Sequence, residues 1–234
     1  VWTVSNLFRG RPPPRADSVA PALPMLAGAL HLRDEEVLTN VAWALSYASD
    51  GSNDRIQAVL DSGALPGLVE LLLHESALVQ TAVLRAVGNI VTGDDVQTAQ
   101  VLACGPLQAL SQLLHHQKRG IRKECCWCLS NILAGSREQI QAVLDADLMP
   151  PLVGALLGAD LDIQREAAWA VCNTFSGGSF EQSERAVAAG CVPALVRAVG
   201  AGDRRMALVS LQGLRELLER GDEERTARDL EANP

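Results

Sequence analysis

The chain has 234 residues, of which 48% are hydrophobic and 21% are charged, a composition that excludes a disordered or fibrous chain. Its formal net charge of -8 and isoelectric point near 5.0 disfavour nucleic acid and anionic membranes as partners and favour cationic ligands. No apolar run reaches the roughly 18 residues that cross a bilayer, and no signal peptide is recognisable. We therefore expect a cytosolic or nuclear protein.

Five apolar segments follow one another along the chain, and each is predicted to form the last helix of a repeat. They read "VWTVSNLFRG", "AWALSYASDG", "LRAVGNIVTG", "CWCLSNILAG" and "AWAVCNTFSG". Asparagine lies four residues after the Trp slot, except at Tyr47, and glycine lies eight residues after it. We expect each glycine to adopt the left-handed backbone that ends many helices. The Trp slot is occupied by Trp2, Trp43, Arg85, Trp127 and Trp169.

A second marker recurs every 42 to 43 residues and opens the preceding helix. Proline suits the first turn of a helix, where its missing N–H costs nothing. The marker positions are Pro24, Pro66, Gln108, Pro150 and Pro193. A period of about 42 that contains only helices predicts an all-α, right-handed superhelical solenoid of the armadillo or HEAT class.

The period also sets the expected domain organisation. We expect residues 1–220 to form one array of armadillo-like repeats and residues 221–234 to form a charged C-terminal tail. Since the chain opens with valine inside a helical pattern, we also expect a fragment or an incomplete gene model. Within the array, 1–10 is the last helix of a truncated repeat, and the following repeats are 11–51, 52–93, 94–135, 136–178 and 179–220.

The Trp and Asn slots share one face of each last helix, because residues separated by three or four positions are neighbours on a helix. Stacked repeats would place these stripes about 10 Å apart. An Asn side chain can bond both the N–H and the C=O of an extended peptide, and a slot between indole rings fits a lysine or arginine side chain. Glu124 and Glu166, three residues before Trp127 and Trp169, are expected to make these two slots the most cation-selective.

Other interpretations of the same residues remain open. A Trp at a repeated helical position is also typical of a core, and the Asn is also typical of a hydrogen bond between repeats. Cys125 and Cys128 share a helical face, but no second Cys or His pair stands at metal-ligand spacing, so buried packing is favoured over a metal site. No catalytic motif is recognisable, so we expect neither an enzyme nor a cofactor.

The five segments, in this order, resemble consecutive repeats of importin α, the adaptor family that carries cargo with nuclear localisation signals. Tyr47 and Arg85 match irregularities of that family, whereas Asn40 departs from it where an acidic residue is expected. The resemblance extends from Val1 to about Leu218 and implies that the chain begins within the fourth repeat. It implies binding of Lys/Arg-rich signals in extended conformation along a concave Trp/Asn surface.

The resemblance also implies two sets of binding residues. The minor groove would comprise Tyr47, Asp50, Asn53, Arg85, Asn89, Thr92, Glu124, Trp127, Ser130, Asn131, Glu166, Trp169 and Asn173. The residual major groove would comprise Trp2, Asn6, Arg9 and Trp43.

The partners implied are basic nuclear-localisation-signal peptides of cargo proteins, without nucleic acid or membrane. Importin-β and the exportin are implied only through segments that are missing or incomplete here. The main alternative is a general armadillo scaffold for protein–protein interaction without specificity for basic peptides. A third hypothesis is a truncated, decayed paralogue that folds but binds weakly.

Overall fold

The computed structural model of the chain describes residues 1–10 and 12–232. Within these ranges every regular element is a helix, and none is a strand. The chain divides into two compact units, Val1–Cys128 and Leu129–Pro234, and each contains its own buried apolar residues.

The first unit contains nine complete helices and two short 3-10 turns, Ala20–Ala22 and Leu71–Leu73, in its described part. The unit boundary falls within a further helix, α10 (Arg119–Leu133). The nine helices are α1 (Trp2–Phe8), α2 (Ala16–Val19), α3 (Leu23–Ala29), α4 (Glu35–Ser49), α5 (Asn53–Asp61), α6 (Leu65–Glu70), α7 (Ala77–Ile90), α8 (Asp95–Ala103) and α9 (Leu107–Leu113).

The second unit continues the same succession of two shorter helices and one longer helix. Its helices after α10 are α11 (Arg137–Asp145), α12 (Met149–Leu157), α13 (Leu161–Gly177), α14 (Phe180–Ala188), α15 (Cys191–Val199) and α16 (Arg204–Ala232).

The longer helices pack side by side within each unit. In the first unit α4 lies between α1 and α7, and in the second unit α13 packs against α16. Val41 and Leu45 of α4, and Val83 and Val87 of α7, are fully buried. A helix of this kind buries its apolar stripe only against its neighbours, so the stacking of repeats creates the core.

The prolines open helices as their spacing predicts. Pro24, Pro66 and Pro150 lie in the first turns of α3, α6 and α12. The proline marker therefore correctly located the start of the second helix in these repeats.

The prediction for the glycines at the ends of the longer helices was wrong. Among the five, only Gly51 has a positive φ, of 132°. The left-handed residues of this period instead lie in the turn before the second helix, at Gly63, Gly105 and Gly190. Asp147 takes the same place in the intervening repeat with φ of 53°, a conformation that Asp tolerates better than most residues.

The charged end of the chain continues the last long helix. Helix α16 extends through Ala232, so most of residues 221–234 belong to it. Residues 233–234, and Arg11 at the start of the expected 11–51 repeat, lie outside the described residues.

In the described ranges no single helix is long and apolar enough to cross a membrane. Two bent pairs meet that length and composition test together: Asn53–Asp61 with Leu65–Leu73, and Arg137–Asp145 with Met149–Leu157.

The cysteines serve packing. Five of the six are buried, and burial raises the pKa of the Cys128, Cys172 and Cys191 thiols to about 12. Thiols in this state are poor nucleophiles and poor metal ligands at neutral pH. Within the described ranges no group of three His, Cys, Asp or Glu side chains is placed to hold a metal ion.

Small residues allow neighbouring longer helices to approach closely. A Cβ atom at Gly88 of α7 would overlap the ring of Trp127, and a Cβ atom at Gly213 of α16 would overlap Cys172 of α13. The indole of Trp127 therefore occupies space that only a glycine leaves open.

We expect Gly88→Ala to destabilise the fold by about 1–3 kcal/mol, because overpacking against the indole outweighs the better helix propensity of alanine. Gly154→Ala is the matched control: Gly154 lies in α12, and a Cβ atom there meets nothing within 4 Å. The control is expected to be neutral or stabilising. Urea unfolding followed by circular dichroism measures both changes, and equal effects of the two substitutions would contradict the close packing.

An ion pair fixes the start of α16. The guanidinium of Arg165 on α13 pairs with Asp203, which also accepts a hydrogen bond from the backbone N–H of Met206 at 2.9 Å. These contacts, led by the one from Arg165, lower the pKa of Asp203 from its ordinary 3.8 to about 2.

Because the pKa of Asp203 is lower in the folded chain than in the unfolded chain, the ionised carboxylate stabilises the fold at pH values above its ordinary pKa. This contribution is lost as the pH falls from about 4 towards 2. Asp203→Asn retains a helix-capping side chain but removes the charge. It should lower the melting temperature at pH 7, and the difference from the unsubstituted chain should shrink on acidification through this window. Thermal melts at pH 7, 4 and 2 measure it; a constant difference would contradict the assignment.

Candidate peptide-binding surface

The candidate surface consists of the side chains at the Trp and Asn slots of the longer helices, here called the ladder. In the first unit they lie on α1, α4, α7 and the first part of α10; in the second unit they lie on the rest of α10 and on α13. The first-unit members are Trp2, Asn6, Trp43, Tyr47, Arg85, Asn89 and Trp127, and the second-unit members are Asn131, Trp169 and Asn173.

The indole rings of the ladder are accessible rather than sealed in the core. The exposed fraction is 65% for Trp2 and 49% for Trp169. Trp43 and Trp127 are half-buried. The ring of Trp43 stacks on that of Tyr47 at a centroid distance of 5.9 Å, so the tyrosine continues the aromatic surface of α4. The fold therefore does not bury all four indole rings as a core would.

The asparagines of the ladder join successive repeats. Nδ2 of Asn89 donates to the backbone carbonyl of Ser46, and Nδ2 of Asn173 donates to that of Ser130, both at 2.8 Å. The interpretation that these asparagines form hydrogen bonds between repeats is therefore correct, and each amide uses one N–H for that bond. The Oδ1 atom and the second N–H of the amide are not used by this bond.

The other two asparagines of the ladder differ. Nδ2 of Asn6 donates to the carbonyl of Trp2 in its own helix, at 3.0 Å. Nδ2 of Asn131 is buried and has no hydrogen-bond partner in the described structure.

Glu124 differs from the open carboxylate that the sequence predicted. Its Oε1 atom pairs with the guanidinium of Arg85 at 2.6 Å and with Nζ of Lys123 at 3.0 Å. Glu124 is only 6% exposed, and its Oε2 atom is buried without a hydrogen-bond partner. The guanidinium Cζ of Arg85 also lies over the ring of Trp127, 5.1 Å from its centroid. The carboxylate and one indole face are therefore both engaged by a cation of the chain itself.

A cavity of about 670 Å³ lies where α1 and α4 end. Arg9, from the residual major-groove set, and Tyr47 and Asp50, from the minor-groove set, all line it. Phe8 and Pro13 complete its apolar wall. Residues that the resemblance assigned to two different grooves therefore share one cavity in the first unit.

Several predicted residues lie beside the ladder. Asp50 caps the C-terminus of α4, and Thr92 follows α7, where its hydroxyl donates to the carbonyl of Asn89 at 2.7 Å. Asn53 starts α5 rather than a longer helix, and its carbonyl accepts a hydrogen bond from Gln97 at 2.9 Å.

In the second unit the adjacent helices α13 and α16 each carry a carboxylate of interest, Glu166 and Glu216. Glu166 precedes Trp169 by one helical turn on α13 and is half-buried. Glu216 of α16 occupies the next Asn slot, accepts a hydrogen bond from the Ser176 hydroxyl and accepts another from Gln212 at 2.9 Å. Because a carboxylate cannot donate, the serine on the neighbouring helix supplies the proton that the asparagine supplies elsewhere.

Sequence reasoning missed the small residues that position the ladder, although the sequence contains a signal for them. The residue immediately before each Asn slot is small in all five segments: Ser5, Ser46, Gly88, Ser130 and Cys172. In the structure Ser46 and Ser130 provide the carbonyls for the bonds between repeats, and Gly88 and Cys172 lie at close helix contacts.

Comparison with known proteins agrees with the repeat pattern. The family described as Armadillo/beta-catenin-like repeat matches residues 52–92, 94–134 and 136–176, which together make up just over half of the chain. Among solved structures, a designed armadillo repeat protein in complex with peptide (KR)4 has a TM-score of 0.85 and 28% identity, covering 92% of this chain and 90% of its own. The all-α armadillo solenoid is thus confirmed.

Curated relatives are more specific. Importin subunit alpha-1a of Oryza sativa subsp. japonica is 59% identical over 91 residues, which are 39% of this chain and 17% of the relative. Importin subunit alpha-4 of Arabidopsis thaliana is 57% identical over 89 residues, 38% of this chain and 16% of the relative. The matches thus span about one sixth of the length of these relatives. The resemblance to importin α is confirmed, and the chain belongs to the armadillo/β-catenin-like repeat family.

Proposed function

We propose that this chain acts as a nuclear import adaptor that binds Lys/Arg-rich nuclear localisation signals in extended conformation on the ladder. It would work in the cytoplasm and nucleus as a binding protein, without catalysis. The observation that carries the proposal is that, at the repeated Trp slot, Trp169 is 49% exposed and Trp43 and Trp127 are half-buried rather than sealed in the core. Large exposed aromatic side chains at regular spacing are a feature of recognition surfaces rather than of cores.

The chemistry around Trp169 suits a cationic side chain. An exposed indole face attracts an ammonium or guanidinium group by about 0.5–2 kcal/mol. Glu166 precedes Trp169 by one helical turn on α13, so its carboxylate adds attraction of the same sign.

Main-chain recognition would come from the asparagines. Asn173 and Asn89 use one N–H to fix their own orientation, and the remaining acceptor and donor of each amide match the N–H and C=O of a peptide. A side chain whose rotamer is already fixed loses less entropy when it binds.

The overall charge and the comparisons support the same ligand class. A net charge of -8 attracts basic peptides over a distance, in a salt-dependent manner. The designed neighbour of similar fold was solved with peptide (KR)4, and the curated relatives are importin subunits.

The alternative function is a general armadillo scaffold without specificity for basic peptides. It is favoured by the pairing of Glu124 with Arg85, which removes one anionic ligand position from the first unit. It is also favoured by the use of Asn89 and Asn173 in bonds between repeats.

A fluorescently labelled (KR)4 peptide distinguishes the two functions. We expect Trp169→Ala to weaken its binding about tenfold, because the cation–π contact is lost. Fluorescence anisotropy measures the Kd, and circular dichroism verifies that the helix content is unchanged.

Leu161→Ala is the matched control, since Leu161 is also on α13 and is 41% exposed, but it lies outside the ladder. It should leave the Kd within about twofold of the unsubstituted chain, and binding should weaken as salt concentration rises. Equal losses in the two variants, or binding that is independent of salt, would favour the scaffold.

A further inference from the structure

Positive charge is concentrated in one short segment of this acidic chain, where α9 is joined to α10. Four cations stand within six consecutive residues there: Lys118, Arg119, Arg122 and Lys123. The two lysines among them are the only lysines of the chain. These four residues are here called the cationic edge, and none of them belongs to the ladder.

We infer that the cationic edge is an interaction surface for an acidic protein segment rich in Asp and Glu. The inference goes beyond the proposed function, which concerns basic peptides on the ladder. It gives the chain a second partner of the opposite charge at a separate place.

The residue that precedes α10 departs from the pattern of the other repeats. Asp34 before α4, Ser76 before α7 and Asp203 before α16 each accept a hydrogen bond from a backbone N–H of the first helical turn. A lysine side chain has no acceptor, so Lys118 does not cap α10 in this way. A cation there also faces the positive end of the helix dipole. Helix stability therefore does not explain Lys118 or Arg119, and a departure of this kind at an exposed position is typical of a functional surface.

The first two cations of the edge are presented on an ordered loop. Lys118 and Arg119 are exposed. Nη1 of Arg122 holds the loop before them, because it donates to the carbonyl of His116 at 2.8 Å and to that of Gln117 at 2.9 Å. The backbone N–H of Lys118 donates to Nδ1 of His116 at 3.0 Å. A loop that is already ordered loses less entropy when a partner binds.

Charge and composition favour a short acidic peptide over nucleic acid or an anionic membrane. At an ionic strength of about 0.15 M, charges are screened beyond about 8 Å, so the local cations dominate the field on a short ligand. A long polyanion would also extend over the rest of a chain whose net charge is -8. Single-stranded nucleic acid is commonly bound by aromatic stacking, and no Phe, Tyr or Trp stands between residues 107 and 126 of the sequence. Carboxylates, in contrast, form charge-assisted hydrogen bonds with Lys and Arg.

Fluorescence anisotropy with a labelled (DE)4 peptide, at about 0.15 M salt, tests the inference. We expect saturable binding that the double substitution Lys118→Glu with Arg119→Glu weakens about tenfold or more, because attraction at two exposed positions becomes repulsion. Lys118→Gln with Arg119→Gln removes the cations without adding carboxylates. It should weaken binding by a smaller factor.

Arg204→Glu with Arg205→Glu is the matched control. These two arginines are exposed and open α16, which is also a longer helix, and their reversal changes the net charge by the same amount. The control should leave the Kd for (DE)4 within about twofold of the unsubstituted chain. Circular dichroism establishes that every variant is folded.

Three results would overturn the inference. The first is that the unsubstituted chain does not bind (DE)4, or that the two Glu double variants lose affinity equally. The second is tighter binding of single-stranded DNA or phosphatidylserine vesicles than of (DE)4 at the cationic edge. The third is a dimer of the chain alone, seen by sedimentation, that Lys118→Glu with Arg119→Glu dissociates, since the occupant is then a second copy. The proposed function is tested separately by (KR)4 binding, so either proposal can fail without the other.

Discussion

The structure depends on one constraint: no helix of this chain buries its apolar stripe by itself. The stripe of α4 is covered by α1 and α7, and that of α13 by α12 and α16. Because every repeat must meet the next with the same surface, the chain repeats its packing residues every 42 residues or so. The bonds Asn89–Ser46 and Asn173–Ser130 join residues 43 apart with the same 2.8 Å geometry, so both units use one mode of stacking.

The same stacking creates the binding surface. The asparagine that joins two repeats stands one helical turn from the Trp slot, so each contact between repeats also orients a potential ligand group. Structural and binding interpretations of this residue are therefore compatible, since one amide has enough hydrogen-bonding groups for both. At Arg85 the chain itself supplies a cation to Glu124 and to the ring of Trp127.

The sequence predicted the elements that follow from periodicity, and it failed where contacts depend on the reach of individual side chains. The longer helices and the prolines in the first turns follow from spacing and helix geometry. The pairing of Arg85 with Glu124 does not, because it joins residues 39 apart through a long and flexible side chain. The left-handed glycines were assigned to the wrong turn, since glycine at a helix end is compatible with several backbone conformations. Gly93, for example, is not left-handed, and a Cβ atom there would overlap Gln97 of α8.

Contact between the ladder tryptophans and a basic ligand can be observed directly, because the four tryptophans of the chain are all ladder residues. Their indole N–H groups give four signals in a two-dimensional ¹⁵N–¹H NMR spectrum, which can be followed during titration with (KR)4. We expect the signals of Trp2 and Trp169 to shift until they saturate and to return when salt is added. Saturable binding that leaves all four indole signals unchanged would contradict it.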